Sequence, residues 1–256
     1  MRAALLLAIA LSSVVASAAD VTIVETLSVT AGGKTIRGTL TTYISGERMR
    51  IDAVLPDQSA STLYDLPAGS IVGLDAKAKR AELFTLAARA AAVEKEYPRA
   101  RVKATLQSTG ATSEIAGVAC VEQTFTIRVP VVSDDSIALM LTGSAWIAAH
   151  ADGNGDYEAF ARAAREHDMV LGPSSNNRLV LARTRAQTEL YRALSTAGGI
   201  PYALDMTYDV DGRGMLAGVV RKALAGQQAV GVTRVATDAI APALFVVPDG
   251  WKRERK

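Results

Sequence analysis

Apolar and polar side chains alternate along the first half of the chain with the period of two that a half-buried strand requires. In residues 21–29 the positions Val21, Ile23, Leu27 and Val29 are apolar, whereas Thr22, Thr26 and Ser28 are polar. Gly32 and Gly33 signal a turn before a Thr-rich strand over 34–43. After Ser45, Gly46 and Glu47 the alternation resumes over 48–54. Met49, Ile51 and Ala53 share one face there, and Arg48, Arg50 and Asp52 the other. Short strands follow at 62–66, 70–74 and 80–84, separated by Pro67, Ala68 and Gly69 and by the polar run 75–79. The order is that of an antiparallel meander, with no helix between successive strands as a βαβ series would need.

An Ala-rich helix is predicted over 86–96, ended by Pro98. Strands return at 101–107, 120–129 and 137–147. In the second of these Val121, Phe125, Ile127 and Val129 oppose Glu122, Thr124, Thr126 and Arg128; in the third Ile137, Leu139, Leu141, Ala145 and Ile147 carry the pattern. Helices are predicted over 157–167 and 184–197, the latter stopped by Gly198 and Gly199. Strands at 200–210 and 228–237 flank a short helix at 215–224, and a strand at 244–247 closes the chain. Each strand is oily on one side, and that side must be covered. Roughly ten strands make a sheet large enough to curl. The predicted fold class is therefore α+β: a strongly curved antiparallel sheet, a half-barrel, with a few helices packed in or over its concave face.

The first residues alter the picture of compartment. One basic residue, Arg2, precedes an apolar run from Ala3 to Val15, and Ala16, Ser17 and Ala18 form an A-x-A cleavage signature. Residues 1–18 are read as a signal peptide, too short for the ~20 residues of a spanning helix. Residues 19–256 are read as one curved-sheet domain with a helical insertion around 153–197. The expected location is the periplasm, without a lipid anchor because no Cys follows the cleavage site. Hydrophobic residues at 49% and charged residues at 21% fit a packed globule rather than a disordered chain. Without Arg2 the 27 basic and 26 acidic residues nearly balance, and no basic patch points to nucleic acid. The basic end at 251–256 reads as a solvated tail. Cys120 is the single cysteine, which excludes an internal disulfide framework.

Three patterns invite a chemical reading. Gly212, Gly214 and Ala217 make a G-x-G-x-x-A with Asp238 about twenty residues on, the layout of a dinucleotide site. The strand before it alternates with Asp205, Thr207 and Asp209, whereas a buried parallel strand is apolar on both faces, so a Gly-rich turn is the simpler reading. Asp152, Asn154 and Asp156 begin like a calcium loop, but Tyr157 replaces the turn Gly and Ala163 the closing Glu. Asp156 is expected instead to cap a helix starting at Tyr157. His150 and His167 fall in no metal-ligand spacing, and Ser70, in Gly69–x–Gly73 spacing, lies in a hairpin without a strand-to-helix elbow. No catalytic residue, cofactor or metal site is assigned. Trp146, Trp251, Phe125, Tyr191 and Tyr202 are the aromatic candidates for a cavity wall or a packed core.

Residues 112–125 (TSEIAGVACVEQTF) resemble a recurring exported β-hairpin with an I-x-G turn and a C-x-x-x-x-F strand. Residues 43–52 (YISGERMRID), Tyr64 with Asp65, 71–75 (IVGLD) and the ending 240–251 (IAPALFVVPDGW) are similar to other stretches of the same family. Its members are exported bacterial domains of unassigned function, remotely similar to the half-barrel carriers of outer-membrane lipoproteins. The resemblance implies helices packed in the concavity and acyl chains held against an apolar inner face. The expected function is a periplasmic, non-catalytic binding or carrier-like protein for a lipid-like or other apolar ligand. Met49, Ile51, Phe125, Ile127, Leu139 and Leu141 are its candidate lining residues. Two alternatives stay open: an envelope protein with a filled core that binds a protein partner, and a hydrolase whose site is not visible in the sequence.

Overall fold

The computed structural model describes residues 20–171 and 177–256; the expected signal peptide at 1–18 lies outside them. Among the described residues, twelve strands form one sheet. In chain order they are β1 (Val21–Ala31), β2 (Lys34–Ser45), β3 (Arg48–Leu55), β4 (Gln58–Asp65), β5 (Ser70–Asp75), β6 (Arg80–Thr85), β7 (Lys103–Ile115), β8 (Val118–Pro130), β9 (Ala138–Ala148), β10 (Ile200–Asp211), β11 (Gly226–Ala236) and β12 (Lys252–Arg255). The helices are α1 (Leu86–Glu96), α2 (Asn154–Glu166), α3 (Arg178–Ala197) and α4 (Met215–Leu224).

The strand order, β12-β6-β5-β4-β3-β2-β1-β11-β10-β9-β8-β7, is that of two meanders joined back to back. One runs from β1 out to β6; the other starts at the far edge with β7 and returns to place β11 beside β1. Every pairing is antiparallel except β12 on β6. This topology explains the curvature. β6 and β7 stand ten strand intervals apart, about 48 Å across a flat sheet. The segment joining them is α1, whose eleven residues span about 16 Å, and six further residues that add at most about 22 Å when stretched. A flat sheet exceeds that reach. The sheet is accordingly an open, curved half-barrel, and the fold class expected from alternation holds.

Side chains on the concave face line up in rows across the strands. Val21, Ile44, Met49, Tyr64, Ile71 and Phe84 are successive cross-strand partners from β1 to β6, and all but Phe84 are buried. On the convex face Leu63, Val72 and Leu83 pair in the same way and are packed by Val247 and Trp251.

Between the neighbouring strands β9 and β10 the chain leaves the sheet to build α2 and α3. α3 lies across β7, β8 and β9 and also touches α1, α2 and α4. Its small residues Ala182 and Ala186, both fully buried, let its axis approach the sheet closely. A polar seam fixes it. Arg185 donates through Nε to the Tyr97 carbonyl at 2.8 Å, through Nη1 to Glu189 at 2.9 Å, and also pairs with Glu94 at the end of α1. Arg99 reaches Glu189 at 3.2 Å and Asp168 at 3.4 Å.

The structure corrects several local expectations. α2 begins at Asn154, one turn before Tyr157, because the Asn154 side chain bonds both the Ala149 carbonyl and the Ile200 amide and so ties the insertion to β10. Its cap is Gly153 at φ 75°, and Asp156 sits in the first turn rather than capping it. α3 starts at Arg178, six residues early, capped by Asn177, whose side chain accepts from the Leu179 amide. The strand expected at 244–247 is instead a 3-10 turn, Pro242–Phe245, initiated by its proline. Arg50 donates to the Leu244 carbonyl at 3.0 Å, and Arg48 lies 5.4 Å from the Phe245 ring centre, which holds this turn against β3. The basic tail is the strand β12, since the open edge of β6 offers backbone groups whatever side chains the incoming chain carries.

Candidate functional site

A cavity of about 450 Å³ lies between the concave face of the sheet and the helices, within the size range of small-molecule sites. One wall is a cross-strand row, Ile23 on β1, Thr42 on β2, Ile51 on β3 and Thr62 on β4, with Met49 and Tyr64 one row further along. A second wall comes from Leu204 and Met206 on β10 with Gln228 and Val230 on β11, which are direct partners. The roof is helical. Gln187, Leu190, Tyr191 and Leu194 project from α3 at spacings of three and four, Tyr157 comes from the first turns of α2, and Leu171 from the segment after it.

The lining of this mainly apolar space includes one carboxyl. Glu25 occupies an inward position of β1, between Ile23 and Leu27 on the same face, and lines the cavity. β11 is irregular beside it, since Val24 pairs with Arg234 and Glu25 with Val232. Among the described residues the Glu25 carboxyl makes no hydrogen bond or ion pair, and burial alone lifts its pKa from 4.5 to about 7. Burial also raises the Tyr157 hydroxyl, with the negative charge of Glu25 adding to the effect. The Tyr191 hydroxyl is raised further, chiefly by burial, and is buried without any hydrogen-bond partner. No Lys, Arg or His stands among the described lining residues. Arg165 of α2 acts on Tyr191 from behind, its guanidinium donating to the Ser195 carbonyl at 2.7 Å.

The sequence candidates divide between hollow and filled regions. Met49 and Ile51 stand in the cavity wall. Phe125, Ile127, Leu139 and Leu141 belong to the core cluster under α3, packed with Leu181, Ala182 and Ala186, and the structure does not bring them to the cavity. Of the aromatic candidates, Tyr191 lines the cavity, Phe125 and Tyr202 are buried in the core, and Trp146 and Trp251 pack against core clusters. Glu25 was missed by reading β1 through its apolar positions alone. Its signal was a single acidic residue at an odd position among Val21, Ile23, Leu27 and Val29.

The other motifs resolve locally. Gly212 and Gly214 turn the chain from β10 into α4, and the following strand β11 is antiparallel to β10, whereas a dinucleotide crossover joins parallel strands. His150 and His167 are both exposed and neither lines the cavity. Cys120 is a free, buried thiol whose pKa is raised by that burial. Among the described residues no group of three or more His, Cys, Asp or Glu converges on a common point. No helix among them is long and apolar enough to cross a membrane.

No family model and no curated protein sequence matches the chain. Solved structures similar to it include a domain from Vibrio parahaemolyticus described as an outer membrane lipoprotein-sorting protein, at 5% identity and a TM-score of 0.35, with 89% of each chain covered. A DUF1329 family protein from Desulfovibrio piger is similar at 8% identity, a TM-score of 0.35 and the same 89% coverage of each chain.

Proposed function

We propose that this chain is an exported, non-catalytic binding protein that carries a lipid-like or other apolar ligand in the concavity of its half-barrel. The observation that supports this reading is the cavity itself: about 450 Å³ of space walled mainly by Ile, Leu, Met and Val side chains, left between two cores that are otherwise closely packed. An apolar void of that size forfeits dispersion contacts on every wall, and a matching guest restores them. At roughly 30 Å³ for each water-sized atom it accommodates about fifteen non-hydrogen atoms. Met49 and Ile51 are the lining residues of this reading. Phe125, Ile127, Leu139 and Leu141 form the packed floor that holds α3 in place. Residues 1–18 would direct export to the periplasm, where an envelope partner could supply or accept the ligand.

Native mass spectrometry of protein purified from its own periplasm, before and after organic extraction, tests the proposal. A mass increment that extraction removes is expected, and Val230→Trp, which fills the cavity, is expected to abolish it while the protein stays folded. Recovery of empty protein alone, unable to take up any added amphiphile, would overturn the carrier reading.

A further inference from the structure

The polar end of the cavity has a definite sign. Glu25 brings one carboxyl with no partner among the described residues, and no basic side chain lines the same space to neutralise it. The Tyr191 ring lines the roof from α3, but its hydroxyl is sealed off from the cavity and without a partner. A carboxyl set among apolar walls with no donor beside it is costly in the empty protein, because it gives up much of its hydration without gaining a substitute. We propose that this cavity selects amphiphiles whose head group donates a hydrogen bond, amines above all and alcohols after them, and rejects those ending in a free carboxylate or phosphate. The inference rests on the carrier reading and adds the head-group chemistry to it.

The physical argument is one of charge and hydrogen-bond complementarity. A carboxylate is an acceptor only, so it needs a donor, and an ammonium head supplies both donor and opposite charge. A neutral hydroxyl head satisfies Glu25 as a donor, without the opposite charge that an ammonium adds. A second carboxylate beside Glu25 places two like charges in a poorly solvated space, where only one can ionise. Tyr157 of α2, Tyr64 of β4, Thr42, Thr62, Gln187 and Gln228 supply the other polar side chains of the lining, all neutral. Arg165 of α2 and Arg89 of α1 are the cations felt by the tyrosines of this lining, Arg165 by Tyr191 and Arg89 by Tyr64, and neither lines the cavity. The burial that lifts the Glu25 carboxyl agrees with this assignment, since the group is charged at the weakly alkaline pH used for the test.

Isothermal titration of the protein with decylamine, 1-decanol and decanoate at pH 8 tests the inference. These three ligands share one chain length and differ only at the head. Decylamine is expected to bind roughly ten- to a hundredfold more tightly than decanoate, the range of a hydrogen bond to a charged group, with 1-decanol between them. Glu25→Gln is expected to bring amine and carboxylate within about threefold of each other while changing 1-decanol little; its thermal melt confirms that it folds. Decanoate binding as tightly as decylamine would overturn the head-group selectivity and leave the carrier reading standing. A preference that persists in Glu25→Gln would overturn the assignment to Glu25. Failure of all three ligands to bind would overturn the selectivity together with the carrier reading beneath it.

Discussion

Arg185 donates to Glu189, one helical turn further along α3, at 2.9 Å, and both side chains are buried against the end of α1. The pair is no isolated ornament of the helix, because Arg185 also holds the Tyr97 carbonyl and Glu94, and Glu189 also holds Arg99. Removing Arg185 leaves Glu189 with Arg99 alone and the Tyr97 carbonyl without its donor, a loss of about 1–3 kcal/mol. Arg185→Met is therefore expected to lower the unfolding free energy by that order, measured as a shift of the urea midpoint at unchanged slope. A shift under 1 kcal/mol would mean the seam behaves as a solvated surface pair.

Glu25 makes stability depend on pH in a direction opposite to that of most carboxylates. Its folded pKa, about 7, lies above the ordinary 4.5, so between these values the folded protein holds a proton that the unfolded chain releases. Stability is full below about pH 4.5, falls as pH rises, and levels off above about 7. The titratable group that senses Glu25 is the Tyr157 hydroxyl; Tyr64 and Tyr191 also line the cavity, and the Tyr157 and Tyr191 hydroxyls are themselves pushed upward and stay neutral throughout this window. Glu25→Gln is expected to match the wild type at pH 4 and to exceed it by up to about 3 kcal/mol at pH 8. Chemical denaturation of both proteins across this range measures it, and a difference that stays constant with pH would refute it.

The orphaned Tyr191 hydroxyl separates stability from binding. Tyr191→Phe removes an unsatisfied polar atom and keeps the ring, so the ligand-free protein is expected to gain about 1 kcal/mol. The hydroxyl is sealed from the cavity, so the same change is expected to leave 1-decanol affinity within about threefold of wild type, and a calorimetric melt paired with a titration reads both. A variant less stable than wild type would show that the hydroxyl is satisfied in solution.

Gly143 lies in β9 where the strand passes under Phe125. A Cβ there would fall 1.8 Å from the Asp205 carbonyl oxygen and 2.9 Å from the Phe125 ring. No rotation relieves a clash with backbone, so β9 and β10 would have to separate. Gly143→Ala is expected to cost about 3 kcal/mol, seen in the thermal midpoint.

Much of this architecture could be read from alternation alone. Val21, Ile23 and Leu27 in β1, Met49 and Ile51 in β3, and Phe125 and Ile127 in β8 all face inward as their spacing requires. Period-two patterning is local, so it survives without knowledge of partners. The division of the concave face into hollow and filled parts is not local. It depends on α3 settling over β7, β8 and β9, which Ala182 and Ala186 permit, so that Phe125 and Leu141 meet a helix while Ile51 meets space. β12 was equally hidden, because an edge strand can be recruited by free backbone groups under side chains as charged as Lys252, Arg253 and Glu254.

The short link from β6 to β7 acts on the curved sheet as a string acts on a bow. Its length caps the separation of the two limbs, and Tyr97, Arg99 and Arg185 knot it to α3 midway. A bulkier guest cannot be admitted by straightening the bow; room must come from the α2 and α3 side of the chamber. Any change in the capacity of the chamber is thereby set by how far the roof lifts, not by how far the limbs spread.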